Sequence, residues 1–143
     1  MSGAIRVLFL CTGNSARSQM AEAILRHLAG GAVEVRSAGS DPRPEIHPLA
    51  RETVRKLFGL EMAGQHPKSM NDFASQKFDF VITVCDRAAE ACPNFPGAPE
   101  VLRWSLPDPA EAAGTEEEKR QAFENSAKDL TQRIRLWLAT RRS

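Results

Sequence analysis

The sequence carries little net charge and has no long apolar segment. Its 143 residues have a formal net charge of +1 at pH 7, so no overall field attracts nucleic acid or an anionic membrane surface. The apolar run at residues 7–10 is too short for a secretory signal or a membrane span. We therefore expect a cytoplasmic protein that binds neither nucleic acid nor membranes. Any preference for anions must come from a local site.

Cysteine and histidine are also scarce, with 3 of each in the chain. Cytoplasmic thiols stay reduced, and an odd number of cysteines does not pair completely, so a structural disulfide framework is not expected. The cysteines lack the close paired spacing of a zinc site, and the histidines are scattered. The sequence thus predicts no metal site and no tightly bound cofactor. A functional set of thiols remains open.

The pattern of apolar residues alternates between strands and helices along the chain. Apolar and β-branched segments predict four strands, whereas apolar residues at helical spacing predict three helices. The predicted strands cover residues 5–10, 33–36, 80–84 and 101–104, and the predicted helices cover residues 18–29, 48–59 and 115–141. This alternation predicts an α/β sandwich with a mostly parallel sheet, formed by a single domain over residues 1–143.

Two of the predicted helices have clear inward faces and boundaries. In the second helix, which begins at Pro48, the residues Leu49, Thr53 and Leu57 are predicted to point inward. Thr115 and Glu118 predict a capping box at the start of the last helix. The predicted inward face of that last helix consists of Phe123, Ala127, Leu130, Ile134 and Trp137.

The segment Cys11–Ser18 joins the first predicted strand to the first predicted helix. In an open parallel sheet, ligands bind beyond the carboxyl ends of the strands, and the N–H groups of a helix N-terminus attract anions. Gly13 and Asn14 tolerate the backbone angles of a loop whose amides curl inward. Arg17 can bring a planar guanidinium to the same centre. The segment predicts an oxyanion-binding loop with Cys11 as its nucleophile. The alternative is a buried cysteine beside a solvated arginine.

The same surroundings favour the thiolate form of Cys11, because helix amides and the Arg17 guanidinium stabilise negative charge. Ser18 can add a hydroxyl hydrogen bond to the sulfur. The predicted oxyanion-binding residues are Thr12, Gly13, Asn14, Ser15, Ala16, Arg17 and Ser18.

The string Cys-Thr-Gly-Asn-Ser-x-Arg-Ser-Gln-Met-Ala-Glu at residues 11–22 resembles the arsenate reductases of the low-molecular-weight protein tyrosine phosphatase family. A cysteine, five residues, an arginine and a serine are also typical of the phosphatases themselves. The resemblance extends from Ile5 through the last helix. It implies a three-layer α/β sandwich with a four-stranded parallel sheet flanked by helices. It further implies an enzyme, expected to be a monomer, whose substrate is arsenate or a phosphate-like oxyanion.

Cys85 follows the apolar strand that ends at Val84, and Cys92 lies seven residues further along. On the residues alone, a functional role for these cysteines is no better supported than a structural one, in which Cys85 packs in the core and Cys92 is incidental. A helical turn between these two cysteines would separate their thiols. Because a disulfide needs Cα atoms within roughly 7 Å, pairing them would then require the intervening residues to rearrange. The resemblance implies a redox role instead, because thioredoxin-coupled arsenate reductases carry two further cysteines in a similar segment.

The relay that the resemblance implies uses all three thiols in order. Cys11 attacks arsenate, and Cys85 then attacks the Cys11 sulfur and releases arsenite. Cys92 attacks Cys85 in turn, which moves the disulfide outward to reduced thioredoxin, the expected electron donor. This order agrees with the chemistry of thiol–disulfide exchange.

Asp108 lies between Pro107 and Pro109 in a predicted loop. An ordinary Asp-Pro turn explains this pattern without catalysis. The resemblance implies instead that Asp108 donates a proton to the leaving oxygen.

The chain departs from the phosphatase pattern after this aspartate. Phosphatases usually continue with a pair of tyrosines, whereas this chain reads Ala110-Glu111 and contains no tyrosine at all. The missing aromatic walls weaken the case for a phosphotyrosine pocket. Residual phosphatase activity is still expected, because phosphate and arsenate are nearly isosteric.

A second departure concerns the potassium ion that some arsenate reductases bind near the loop. Asn14, Glu22 and Ser37 match three positions of its ligands, but Lys68 stands where a carboxylate is expected. We hypothesise that the Lys68 ammonium replaces the cation and pairs with Glu22, which makes the protein indifferent to potassium. The alternative is a solvated surface lysine.

Four functions are compatible with these residues. The leading interpretation is a thioredoxin-coupled arsenate reductase that uses Cys11, Cys85 and Cys92. The second is a low-molecular-weight phosphatase that hydrolyses phosphomonoesters through a phosphocysteine. The third is a reductase supplied by glutaredoxin with a small thiol, or by mycothiol. The fourth is a non-catalytic oxyanion-binding module, which would need neither a thiol nor a proton donor.

Overall fold

Four parallel strands form a single sheet in the computed structural model, which describes residues 4–86, 95 and 99–141. The strands are β1 (Ile5–Cys11), β2 (Val33–Gly39), β3 (Phe80–Thr83) and β4 (Glu100–Arg103). Their order in the sheet is β2-β1-β3-β4, and all three pairings are parallel. The chain therefore leaves β1 toward one side of the sheet and returns on the other side with β3. The carboxyl end of β1 lies at this reversal, where open α/β sheets bind their ligands.

Within the described ranges, three α-helices connect or follow the strands. They are α1 (Arg17–Ala29), α2 (Pro48–Phe58) and α3 (Glu116–Thr140), with short 3-10 turns at Gly30–Ala32, Met70–Phe73 and Pro109–Glu111. The predicted fold class is thus confirmed, and the predicted elements agree with the observed ones within a few residues. The 3-10 turns were not predicted, since they lack the apolar periodicity of longer elements.

The first strand is the centre of the molecule. Its residues 7–10 are completely buried, because β1 has neighbours on both edges and packing on both faces. Val7 and Phe9 belong to the large apolar cluster formed with the helices, whereas Leu8 and Leu10 belong to a smaller cluster with Phe73, Phe78 and Val81. The nucleophile candidate is thus the last residue of this buried central strand.

The two helical boundaries that the sequence predicted are present. The Thr115 side chain accepts from the Glu118 N–H, and the Glu118 carboxylate accepts from the Thr115 N–H, which completes the capping box. All five predicted inward residues of α3 are buried: Phe123, Ala127, Leu130, Ile134 and Trp137.

The predicted inward face of α2 needs a correction. Thr53 is buried as expected, but Leu49 and Leu57 are only partly buried. The most buried side chains of the helix are Ala50, Thr53 and Val54, at the spacing of three and four residues that marks one helical face. A small alanine at the centre lets α2 approach closely, and the two leucines pack along the margin of the core.

Candidate functional site

The ends of β1 and β3 bring two of the predicted residues to the same edge of the sheet. Cys11 is the last residue of β1, and Cys85 lies two residues beyond the end of β3. The Val84 N–H donates to the Leu10 carbonyl at 2.9 Å, so the β1–β3 pairing continues to this edge. Both cysteines are buried, with 2% and 1% of their surfaces exposed. Cys11 is a free thiol, whereas the Cys85 sulfur is disulfide-bonded. Cys92 lies outside the described residues.

The Cys11 sulfur lies among hydrogen-bond donors. The Asn14 N–H donates to Sγ at 3.2 Å, and the Ser18 Oγ lies 2.8 Å from Sγ. The Asn14 Nδ2 group donates to the Ser18 Oγ at 2.7 Å, which leaves the serine proton available for the sulfur. The predicted contact between Ser18 and Cys11 is therefore present.

Asn14 holds this arrangement in one orientation. It is fully buried and has a φ of 48°, a left-handed conformation that asparagine tolerates better than most residues. Its Oδ1 accepts from the Lys68 backbone N–H at 2.8 Å and from the Gln19 Nε2 group at 3.1 Å. Because the carbonyl side of the amide is committed to these donors, Nδ2 points toward Ser18.

Every backbone carbonyl from residue 11 to residue 16 accepts a hydrogen bond from a group outside the loop centre. In a trans peptide, the N–H of the next residue points opposite to the carbonyl, so these bonds turn the following amides toward the cavity. The Cys11, Thr12, Gly13 and Ser15 carbonyls accept from the N–H groups of Ser40, Asp41, Arg43 and His47, the Asn14 carbonyl accepts from the Gln19 Nε2, and the Ala16 carbonyl accepts from the Met20 N–H.

The close approach of β2 makes this framework possible. A Cβ atom added at Gly39 would lie 2.4 Å from the Thr12 carbonyl oxygen and 3.0 Å from the Asn14 Cβ. A side chain at this position would displace the loop backbone. Gly39 thus allows the segment at residues 40–47 to wrap around the loop and support it.

Arg17 is buried and points into the site. Its Nη1 donates to the carbonyls of Leu106 at 3.0 Å and Val84 at 3.3 Å. Its Nη2 lies 3.6 Å from the Asp108 Oδ2. The guanidinium is therefore aimed by two elements beyond β3 and β4, as the planar fork of arginine permits.

Asp108 forms the turn that its flanking prolines predict, and its carboxylate also faces the cavity. Its Oδ1 accepts from the Ala110 N–H at 3.0 Å and caps the 3-10 turn that follows. Its Oδ2 faces Arg17, and the carboxylate side chain is 23% exposed. The turn orients the carboxylate, and the second oxygen remains at the surface of the cavity.

One cavity of about 340 Å³ brings these groups together. It is lined by the whole loop from Cys11 to Arg17 and by Asp108. Its remaining lining residues are Arg43, His47, Ala110 and Glu111. Ala110 and Glu111 occupy the wall where the phosphatase pattern has tyrosines, so this wall contains no aromatic ring.

Arg43 and His47 were not predicted as site residues. Both lie between β2 and α2, in a segment without a recognisable motif. One signal was available, because a chain that leaves the carboxyl end of a strand adjacent to β1 must pass the same edge of the sheet.

His47 forms part of the cavity wall and the N-cap of α2. Its Nδ1 accepts from the Leu49 N–H at 3.1 Å, and its ring stacks obliquely on Phe123 with the centroids 4.7 Å apart. Burial lowers the pKa of His47 below its ordinary value, Arg43 lowers it further, and the charges of Asp108 and Glu116 oppose the shift. His47 is therefore a neutral side chain near pH 7, with the tautomer that carries its proton on Nε2.

The hypothesis about Lys68 and Glu22 is wrong in its pairing. Glu22 is buried, accepts from the Ser37 Oγ at 2.5 Å and forms its ion pair with Arg26. The Lys68 Nζ donates instead to the His66 carbonyl at 2.7 Å. Burial lowers the pKa of Lys68, although Glu22 lies near enough to oppose this shift. Arginine four residues along the same helix reaches the carboxylate more directly than a lysine on another segment.

The other positions of the expected potassium site are occupied by internal hydrogen bonds. The Asn14 Oδ1 accepts from two nitrogens, and the Glu22 carboxylate accepts from Ser37 and Arg26. Within residues 4–86, 95 and 99–141, no group of three or more histidine, cysteine, aspartate or glutamate side chains is arranged to hold a metal ion. No helix in this part of the chain is both long enough and apolar enough to cross a membrane.

Residues 6–141 match the family described as low molecular weight phosphotyrosine protein phosphatase. The sequence is 36% identical over 134 residues to an arsenate reductase of Halalkalibacterium halodurans, covering 94% of this chain and 95% of that protein. It is 34% identical over 134 residues to an arsenate reductase of Bacillus subtilis, with the same coverage.

Solved structures of arsenate reductases are also similar to this chain. The fold is similar to an arsenate reductase in the phosphate binding state, with a TM-score of 0.79 and 26% identity, covering 95% of this chain and 98% of that one. It is also similar to the Corynebacterium glutamicum thioredoxin-dependent arsenate reductase Cg_ArsC1', with a TM-score of 0.66 and 37% identity. That match covers 94% of this chain and 64% of the other.

Proposed function

Because the chain belongs to the low molecular weight phosphotyrosine protein phosphatase family, we propose that it uses this fold to reduce arsenate to arsenite. The observation that carries the proposal is a pair of buried cysteines at the ends of adjacent strands. Cys11 lies in the oxyanion cavity, and Cys85 follows the neighbouring strand β3. A phosphatase needs the first of these residues, whereas a reductase also needs a second thiol.

The first step is attack by the Cys11 thiolate on arsenic. A sulfur–arsenic bond forms, and one arsenate oxygen leaves as water with a proton from Asp108. The inward amides of the loop and the Arg17 guanidinium stabilise the remaining oxygens, since these donors are already oriented before the anion binds. A proton donor at such a step contributes roughly 10²–10⁴-fold to the rate.

The second step separates reduction from hydrolysis. In the reduced protein, the Cys85 thiolate attacks the Cys11 sulfur, and the electron pair of the sulfur–arsenic bond leaves with arsenic. Arsenic(V) is reduced to arsenic(III). The two electrons come from the Cys11 and Cys85 sulfurs, which are oxidised to a Cys11–Cys85 disulfide. Cys92 then attacks Cys85, which restores the Cys11 thiolate and leaves a Cys85–Cys92 disulfide.

Thioredoxin is the proposed reductant of that last disulfide, and the Corynebacterium glutamicum relative is a thioredoxin-dependent arsenate reductase. The chemistry requires thiols throughout and no resident metal. A reducing cytoplasm is the compartment in which such a relay is restored after each turnover.

Parallel assays of two reactions test this proposal. Arsenate reduction with thioredoxin and hydrolysis of p-nitrophenyl phosphate are measured for the wild type and for Cys11→Ser, Cys85→Ser and Cys92→Ser. Cys11→Ser is expected to abolish both reactions. Cys85→Ser and Cys92→Ser are expected to abolish repeated reduction while leaving the residual hydrolysis within about twofold, because hydrolysis uses water in place of the second thiol.

Other outcomes select other functions. Sustained turnover of Cys92→Ser with thioredoxin would contradict the three-thiol relay. If turnover occurs only with glutaredoxin and glutathione, or only with mycothiol, that thiol system is the electron donor instead of thioredoxin. Efficient hydrolysis of phosphomonoesters without arsenate reduction would make the protein a phosphatase.

A further inference from the structure

Arg43 lies directly on the oxyanion loop without belonging to it. Its backbone N–H donates to the Gly13 carbonyl at 2.9 Å, and its side chain lies against Gly13. A Cβ atom added at Gly13 would lie 3.0 Å from the Arg43 Cγ and 3.2 Å from its Nε. The glycine therefore provides the space in which the arginine stem rests, and the side chain lines the same cavity as Cys11 and Arg17.

The structure pairs Arg43 with no carboxylate of the residues that it describes. Several other exposed arginines among residues 4–86, 95 and 99–141 do pair with acidic side chains, for example Arg55 with Glu61 and Arg120 with Glu52. Arg43 forms no ion pair within this part of the chain and is exposed at the cavity mouth. Its charge also helps to lower the pKa of His47, which lines the same cavity.

We propose that Arg43 captures the substrate oxyanion at the cavity mouth and transfers it to the loop, so that it sets the affinity for anions without acting in the chemical steps. This proposal rests on the proposed function for the identity of the substrate. Arsenate is a multiply charged anion near pH 7, and a guanidinium binds two of its oxygens in a planar fork. The reduced product, arsenous acid, is neutral at this pH.

Because of this difference in charge, Arg43 binds the reactant more tightly than the product. The guanidinium attracts the charged reactant and has no comparable attraction for the neutral product, so capture does not slow release. Inorganic phosphate, which keeps its charge, is held by the same group. Arg43 is thus a binding residue that favours the oxidised oxyanion over the reduced acid.

Substitution of Arg43 tests the proposal, with Arg51→Gln as the matched control. Arg51 is exposed on α2, does not line the cavity, and gives the same change in net charge. Two quantities are measured: the Kd of inorganic phosphate by calorimetry, and KM and kcat for arsenate. Arg43→Gln is expected to raise Kd and KM together by about tenfold, the effect of losing one charge-assisted contact. The kcat value is expected to stay within about twofold.

Two further measurements define the role of the charge. Arg43→Lys is expected to recover part of the lost affinity, because it retains the charge without the planar fork. The wild-type KM is expected to rise with ionic strength more steeply than that of Arg43→Gln, since salt screens an exposed charge. Thermal unfolding of each variant establishes that it is folded.

Several results would overturn the inference. An unchanged phosphate Kd in Arg43→Gln, or an equal change in Arg51→Gln, would show that Arg43 does not capture the anion. A fall in kcat as large as the rise in KM would place Arg43 in the chemistry or in the loop structure. Phosphate binding is measured without turnover, so a protein that binds phosphate through Arg43 but does not reduce arsenate would refute the proposed function alone.

Discussion

Single residues in this site serve the loop and the helices at the same time, and His47 is the clearest case. Its backbone N–H donates to the Ser15 carbonyl, and its Nδ1 caps α2. Asp108 likewise caps a 3-10 turn with one carboxylate oxygen and faces Arg17 with the other. Their local roles fix their side chains in the orientation that the cavity requires.

The lowered pKa of His47 leads to a pH-dependent contribution to stability. The unfolded chain has the ordinary histidine pKa of about 6.5, and the folded protein has a lower one because of burial. Below pH 6.5 the unfolded state therefore binds more protons than the native state, and stability falls as the pH decreases toward the lowered pKa. Above pH 6.5 the contribution is fully present. The neighbouring charges are Asp108, Arg43 and Glu116.

His47→Asn removes this titration and keeps an acceptor for the N-cap. Urea unfolding of both proteins at pH 7.5 and pH 5.0 measures the effect. We expect the wild type to lose stability relative to His47→Asn at the lower pH. The same difference in unfolding free energy at both pH values would contradict the assignment.

At the scale of elements, the loop depends on the spacing between β1 and β2. Gly39→Ala places a Cβ within 2.4 Å of the Thr12 carbonyl oxygen, so the loop backbone must move. Such crowding costs about 1–3 kcal/mol in stability. It also misaligns the inward amides, so phosphate affinity and arsenate turnover are expected to fall at least about tenfold, as a loss of ~1.4 kcal/mol implies.

Gly31→Ala is the matched control for this prediction. Gly31 lies in the 3-10 turn before β2, and a Cβ atom there meets no heavy atom within 4 Å. Calorimetry with phosphate and the arsenate assay are expected to give wild-type values for Gly31→Ala. If Gly39→Ala binds phosphate as the wild type does, the close approach is not what shapes the loop.

At the scale of the whole molecule, Arg26 connects parts of the chain that are distant in sequence. It pairs with Glu22 on α1, donates to the Val35 carbonyl of β2, and donates to the Gln65 Oε1 at 3.2 Å. Its guanidinium supplies the positive charge that the buried Glu22 requires. An internal cation of this kind makes an added monovalent cation unnecessary.

We therefore still predict indifference to potassium, with Arg26 in the role first given to Lys68. Replacing sodium by potassium at fixed ionic strength is expected to change neither the melting temperature nor the kcat/KM for arsenate. Arg26→Gln leaves the Glu22 carboxylate buried without its partner and is expected to cost about 1–3 kcal/mol in unfolding free energy. A several-fold gain in arsenate efficiency with potassium would contradict this account.

The features that could be predicted from the sequence depend on residues that are close together along the chain. Strand and helix periodicity predicted the parallel sheet, and the segment Cys11–Ser18 predicted the contact between the Ser18 hydroxyl and the Cys11 sulfur. Arg43 and His47 could not be predicted as cavity-lining residues, because their position in the cavity depends on how residues 40–47 fold back over the loop. The partner of Glu22 was misassigned for a related reason, since a choice between two cations depends on three-dimensional distance.

The backbone framework around the loop also has an evolutionary consequence. Residues 40–47 support the loop mainly through their N–H groups, which every residue except proline provides. Their side chains can therefore diverge while the nucleophile and its amides keep their geometry. Mutations at the rim can change which anions are admitted, and the reacting centre can be inherited unchanged, with Gly39 as the position where this freedom ends.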